Sequence, residues 1–445
     1  MPHIPRRTFL KSSALTLASP FILSTGLKGQ NRAAANDRIN VGIIGLGSRG
    51  FNLLNAFLAD PRVQITAICD VHDLHYRDRD WGQGTLFGRI PARTKIERQY
   101  GKAYKSGSYS GLFITSDYES LCQRDGIDAV VVATPDHWHA HCTLAAIQAG
   151  KDVYCEKPVT HYFGEGQQVY KEVEKQKAVF QTGSQQRSEP LFQHAVNLVR
   201  NGVLGKIKEI EVGIPPGYDT PQGSTEVLVP PVGLDYNQWC GPSEMLPYMQ
   251  ARHHRWWRGH RAFGGGVLMD WIGHHNDIAH WSLDLDNDGP TVVEAVDWTF
   301  PETDVYNTPH QYTIRCEYEN GVTSTIASQN ELGTKWIGEN GWLHVSRGKL
   351  SASEKQWKDL KYNPGKFRVQ EVPSHVGNFL DCMKSRQQCL APAETAHRSI
   401  TPGHLGYVSH QLQRPLRWNA KEEVVIDDQE ANKLLMAASY RKNWS

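Results

Sequence analysis

At 445 residues the chain exceeds what one ordinary hydrophobic core organises, so two domains plus a tail are expected. Its 48 basic and 47 acidic side chains nearly cancel, and no long block of like charge stands out; nucleic acid and acidic membrane surfaces are excluded as partners and a small molecule is expected. The 8 cysteines occur singly, with no C-x-x-C pair, and several sit in apolar runs such as AICD and VYCEKP, which reads as buried thiols rather than a zinc framework or a disulfide scaffold.

In chain order, MPHIPRRTFLKSSALTLASPFILSTG places Arg6 and Arg7 ahead of Phe9, Leu10 and Lys11, then an apolar run over 14–23 interrupted by Pro20. The run is shorter than the roughly 20 apolar residues a spanning helix needs. Paired arginines before a short apolar segment have the pattern of a twin-arginine export signal. Residues 1–36 are therefore expected to be signal and linker, and the mature chain to be periplasmic with no membrane span.

INVGIIGLGSRG, residues 39–50, reads as a buried strand that breaks into glycines and then a helix. Gly45, Gly47 and Gly50 form G-x-G-x-x-G in the strand-turn-helix setting the motif requires, with Ser48 and Arg49 on the same loop. The first glycine permits the tight turn, the second lets backbone approach a pyrophosphate, and the third lets helix pack on strand. A second strand, VQITAICD, ends at Asp70, where a carboxylate can accept from adenosine ribose hydroxyls and repel a 2′-phosphate. NAD is the expected cofactor. NADP stays as the alternative because Arg49 could compensate near that ribose. The segment WGQGTLFGRIPARTK that follows is a glycine-rich, basic excursion without a readable role.

FITSDYESL supplies a third sheet element, and IDAVVVATPDHWHAHCTLAAIQAG repeats the strand-loop-helix grammar. Its loop emerges at the carboxyl end of the sheet, where open α/β folds bind ligands, so Thr134, Pro135 and His139 are candidate cofactor contacts. KDVYCEKPVTH is another strand, ending in Glu156-Lys157-Pro158. VFQTGSQQRS reads as the last strand of this sheet, giving a nucleotide-binding domain over 37–183. From IKEIEVGI onward the pattern changes: VVEAVDWTF, QYTIRCEYEN and TSTIASQN read as successive antiparallel strands of a second domain, 184–445. The fold class is thus α/β, a Rossmann domain followed by an α+β domain with a large, mainly antiparallel sheet. Gln186 and Arg187 follow the boundary and are candidates to line the cleft. RHHRWWRGHRAF, with Trp257 and Arg258, could form one wall of a carbohydrate pocket.

Within the second domain, GGGVLMDWIGHHNDIAHW, residues 264–281, reads as one helix behind three glycines. At about 100° per residue, Leu268, Trp271, Ile272, His275 and Ile278 share an apolar stripe, while Asp270, His274, Asp277 and Trp281 share the opposite side. Asp270 and His274 are i, i+4 neighbours. The histidines do not converge as a zinc site would require, and no metal is expected. The glycines are expected to let backbone approach the substrate or nicotinamide.

The glycine fingerprint, TPDHWHA, CEKPVTH and GGGVLMDWIGHH together resemble the glucose-fructose oxidoreductase, inositol dehydrogenase and rhizopine-catabolism (Gfo/Idh/MocA) family, over nearly the whole chain after residue 38. The resemblance implies that Lys157, beside Glu156, contacts both nicotinamide and substrate, that His274 is an acid-base group and that Asp270 orients it. It implies hydride transfer between a tightly bound nicotinamide cofactor and a sugar, polyol or sugar derivative. The alternative is NAD-dependent glycoside cleavage through a transient keto-sugar, and a sugar-sensing protein without turnover is a third reading. Self-association through the sheet of the second domain is expected.

Overall fold

Apart from Asn40, the run INVGII carries no polar side chain, and as β1 (Ile39–Ile44) it is covered on both faces, as a central parallel strand requires. In the computed structural model, which describes residues 38–78, 82–103, 107, 109–372, 374–442 and 444, β1 pairs in parallel with β2 (Val63–Cys69). The arginine-pair segment lies outside the described residues. After β2 the chain makes a small hairpin of β3 (His75–Tyr76) and β4 (Leu86–Phe87), part of the excursion noted above. It returns to the parallel sheet through β5 (Phe113–Thr115), β6 (Ala129–Val132), β7 (Asp152–Cys155) and β8 (Phe180–Thr182). The six strands lie in the order β5-β2-β1-β6-β7-β8. The winding direction reverses between β1 and β6, which opens a crevice at their carboxyl ends.

The second domain carries a sheet of nine strands: β9 (Ile207–Gly213), β10 (Val292–Thr299), β11 (Gln311–Glu317), β12 (Thr323–Ala327), β13 (Gly333–Gly338), β14 (Gly341–Ser346), β15 (Lys349–Ala352), β16 (Leu416–Asn419) and β17 (Val424–Val425). Their order is β15-β14-β13-β9-β12-β11-β10-β16-β17, antiparallel except where β9 runs parallel to β12. Period-2 alternation is clean in β11: Tyr312, Ile314 and Cys316 face inward, while Gln311, Arg315 and Glu317 face out. The inner face is covered by the helices Gly266–Ser282 and Ala393–Leu412, whose Leu268, Ile272, Ile400 and Leu405 join Ile314 and Ile326 in one core. The helix His375–Ser385 instead packs on the parallel sheet, with Phe379 edge-on to Phe57 and Tyr154 at 6.4 and 5.9 Å. All 8 cysteines are buried and free.

The helix Gly266–Ser282 departs from a simple two-faced element. Nearly every residue of it is buried, because it lies between the nine-stranded sheet and the helices Pro190–Arg200 and Ala393–Leu412. Among the described residues no helix is long and apolar enough to cross a membrane.

Candidate active site

A cleft of about 530 Å3 runs from the Gly45–Arg49 turn past Asp70 to Lys157, Asp270 and His274. Its floor is the carboxyl end of the parallel sheet. At the turn, Gly45 has φ +89°, and a Cβ there would sit 2.6 Å from the carbonyl of Ala133; a Cβ on Gly50 would sit 2.0 Å from the carbonyl of Gly45. Both positions therefore require glycine. The space beside the Gly47 α-carbon is open, so phosphate can approach its backbone at the N-terminus of the helix Ser48–Ala59. Asp70 accepts from the backbone N–H of Leu46 at Oδ2 (2.5 Å) and of His72 at Oδ1 (2.8 Å). Those bonds aim the carboxylate along the cleft and leave lone pairs for ribose hydroxyls. This cradle fits a dinucleotide.

Arg49 does not sit where a 2′-phosphate partner would be. Its guanidinium is bound to the buried Glu156, with Nε and Nη2 at 2.8 and 2.7 Å from Oε1. The ground for NADP falls away with that placement. Thr134 and Pro135 line the cleft, as does the edge of His139. The His139 ring, however, faces main-chain carbonyls on both sides, Pro158 at 2.6 Å and Thr134 at 2.9 Å. Its part is to lock two loops together, the second of which presents Lys157. His137 is similarly held between the carbonyls of Phe263 and Trp239.

Lys157 leaves the end of β7 and donates to Asp270 Oδ1 (2.6 Å) and to the Asp270 carbonyl (2.7 Å). Arg258 Nε stands 3.1 Å from the same carboxylate oxygen, its guanidinium stacked 4.2 Å over Trp257. Burial opposes ionisation of Asp270, but Arg258 and Lys157 outweigh it and hold the carboxyl well below its usual range. The expected bond between Asp270 and His274 is not formed. Two full cations compete for that carboxylate, and a neutral imidazole loses. His274 Nε2 instead faces Arg347 Nη2 at 3.0 Å, while Nδ1 has no hydrogen-bond partner among the described residues. Burial, then the charges of Lys157 and Arg347, push the His274 pKa well below its ordinary value, so the ring is neutral near neutral pH.

Arg347 and Asp136 are among the cleft residues that sequence reasoning does not single out. Arg347 reaches in from the turn between β14 and β15, stacked 5.2 Å from Trp271; a lone arginine in SRGK gives no sign of this. Asp136 is 1% exposed, its Oδ2 has no hydrogen-bond partner among the described residues, and burial raises its pKa to about 7 against the opposing charges of Arg258 and Lys157. The sequence does carry a signal for it, since the TPDHWHA loop reads as emerging at the sheet's carboxyl end.

Other expected contacts lie elsewhere. Gln186 is 1% exposed and not on the cleft wall. Arg187 is equally buried and forms a two-pronged ion pair with Asp277 (2.8 and 2.9 Å), with Asp286 closing its other side at 2.7 Å. The turn Gln185–Ser188 points these side chains into the helix Gly266–Ser282, whereas Gln185 reaches Glu156 at 3.1 Å. Glycines 264–266 face protein: a Cβ on Gly264 would meet Trp257 at 2.7 Å, and one on Gly265 would meet Met269 at 2.1 Å. His275 stacks on Trp271, and His280 Nε2 lies 3.1 Å from the Tyr318 hydroxyl.

Comparison with known proteins agrees with this layout. The profile of the Gfo/Idh/MocA "Oxidoreductase family, NAD-binding Rossmann fold" matches residues 39–184, and that of the "Oxidoreductase family, C-terminal alpha/beta domain" matches 192–445. The chain belongs to the Gfo/Idh/MocA family. A glycosyl hydrolase family 109 protein of Saccharopolyspora erythraea is 34% identical over 168 residues, which is 34% of this chain and 33% of that one. The chain thus spans about a third of that relative's length. Among solved structures, aldose-aldose oxidoreductase from Caulobacter crescentus superposes with a TM-score of 0.60 at 16% identity, covering 85% of this chain and 99% of that one. The WlbA dehydrogenase from Bordetella pertussis, in complex with NADH and UDP-GlcNAcA, gives 0.58 at 16%, covering 86% and 99%. At these identities the likeness is one of fold.

Proposed function

We propose that this family member is an NAD-dependent oxidoreductase acting on a CH–OH group of a sugar, polyol or sugar derivative. The observation that carries the reading is the convergence of Lys157, Asp270, Arg258 and His274 in the same cleft as the dinucleotide cradle. NAD, when bound, supplies the hydride acceptor. Lys157, held by Asp270, donates a hydrogen bond to the substrate hydroxyl and stabilises negative charge as that oxygen loses its proton. His274, neutral through burial, takes the proton at Nε2 once Arg347 turns from the imidazole toward the substrate. Trp257 and Trp271, each under a guanidinium, offer flat faces for a ring substrate.

A second reading, redox-assisted glycoside cleavage, is favoured by Asp136. A buried carboxyl with its pKa raised to about 7 keeps a substantial protonated fraction near neutral pH and can serve as general acid to a leaving group. The name of the Saccharopolyspora relative points the same way. To separate the two, the purified protein is tested for NAD and incubated with a panel of sugars and glycosides while reduced cofactor and released aglycone are both recorded. Accumulating reduced cofactor supports net oxidoreduction; aglycone release without it supports cleavage. Failure to bind NAD overturns both.

The Asp136 carboxyl also predicts a stability profile. Its pKa is raised on folding, so its favourable contribution is complete below pH about 4 and is lost as pH rises through about 7. Asp136→Asn, which mimics the neutral acid, should gain on the order of 1–3 kcal/mol relative to wild type between pH 5 and pH 8 in urea titrations. A pH-independent difference would show that the carboxyl is ionised throughout.

We further propose that residues 1–36 direct twin-arginine export, on the strength of Arg6 and Arg7, and that the outward face of the nine-stranded sheet mediates self-association. The outward-pointing residues of β11 support the second point. Periplasmic delivery that persists after Arg6→Lys and Arg7→Lys would refute the first, and a monomer in sedimentation the second.

A further inference from the structure

Beyond the acid-base end of the cleft lies a cluster of histidines that the proposed reaction does not use. His72 and His75 follow Asp70 at the end of β2, and His254 comes from the second domain, 179 positions beyond His75. Their ring centroids are 5.0 Å (His72 to His75), 4.0 Å (His75 to His254) and 5.9 Å (His72 to His254). One nitrogen from each lies within 4.8 Å of the others.

Four features mark this cluster as more than packing. His72 and His75 are 4% and 9% exposed, and the Nδ1 of each has no hydrogen-bond partner among the described residues, an arrangement that buried polar atoms rarely tolerate. All three residues line the cleft, with the positive charges of Arg77 and Arg89 nearby. Asp73, ion-paired to Arg89, adds a carboxylate beside His72 that offsets some of that positive charge. Finally, His254 has φ +49°, a left-handed conformation uncommon for a non-glycine residue.

We propose that His72, His75 and His254 bind a divalent transition-metal ion of the zinc type, which clasps the 250–259 segment of the second domain over the adenosine end of the cleft. Three imidazoles with a fourth position open toward a cleft are a donor set that suits zinc, cobalt or nickel. The nitrogens, within 4.8 Å of one another, would have to close to the spacing of roughly 3.3 Å in a tetrahedral zinc site. The H-x-x-H spacing brings two ligands from one loop, and the third crosses from the other domain, so the ion ties the lid to the floor beside Asp70. A cofactor held this way would leave slowly, which suits an enzyme that recycles it in place.

The test uses tag-free full-length protein stripped with a chelator and dialysed. Zinc alone is titrated in competition with a chromophoric chelator, and the release of bound NAD is timed with and without zinc. One equivalent of zinc should bind with micromolar or tighter affinity; His75→Ala and His254→Ala should each weaken it by about 100-fold, as expected for losing one of three ligands. Zinc should slow NAD release from the wild type about 10-fold and leave release from the variants unchanged. Melting curves without zinc check that the variants are folded; if one is not, the other and the stripped wild type carry the comparison. Zinc binding weaker than about 100 µM, binding untouched by either substitution, or bound zinc without effect on NAD release would each overturn the proposal.

Discussion

Lys157→Met should lower turnover by about 10³-fold while leaving NAD bound, because it removes the ammonium but not the dinucleotide cradle. The side chain stands between Asp270 and the open cleft, 13% exposed, with its charge matched by a carboxylate 2.6 Å away. Methionine keeps most of the length and none of the donors. Asp270 retains Arg258 at 3.1 Å, so the carboxylate is not stranded and the fold should survive. The measurement is kcat on the substrate found by panel screening, alongside the NAD content of the purified variant. Turnover within tenfold of wild type would remove Lys157 from the proton path and shift the burden to His274 and Arg347. Asp270 itself stays ionised across the working range, since Arg258 and Lys157 overcome its burial; a basic limb in the rate profile, with activity falling as pH rises through about 7, therefore belongs to Asp136 as general acid.

Much of this site was legible because it is local in sequence. The strand-turn-helix at 39–50, the carboxylate at the end of β2 and the Glu156-Lys157-Pro158 turn each declare their chemistry within a dozen residues. Helical periodicity also brought Asp270 and His274 to the same wall of the cleft, where both are found. It could not say which partner each would take. That choice depends on Lys157, 113 positions away, and on Arg347, which arrives on the hairpin at one edge of the nine-stranded sheet. Periodicity also specifies direction but not depth. Asp277 was placed with Asp270 and His274, yet it lies beneath the cleft floor, where the pull of a buried guanidinium rather than a ligand sets its surroundings. The convergence of His72, His75 and His254 is not legible for a related reason: their meeting is a property of how the two domains close, which no local pattern encodes.

Arg187 offers the sharpest contrast between a residue that binds substrate and one that holds the fold. Sequence position put it at the domain boundary, facing the cleft; in the structure Arg187 and Asp277 are each 1% exposed, and Arg187 also faces the half-buried Asp286. Replacing Arg187 with Met leaves Asp277 as a buried carboxylate without its cation, a change that typically costs about 3–5 kcal/mol. Urea denaturation of Arg187→Met should show a loss of that size. The pH dependence has a definite sign. Burial already raises the Asp277 pKa against the opposing effect of Arg187, and removing Arg187 leaves burial unopposed by that charge. The folded variant then favours the protonated acid, so its deficit relative to wild type should be smaller at pH 5 than at pH 8. Adding Asp277→Leu should recover part of the loss, since an apolar pair of similar volume removes the stranded charge altogether. Enzyme that remains folded should keep its KM, because neither side chain reaches the cleft. A variant of wild-type stability with a raised KM would return Arg187 to the substrate.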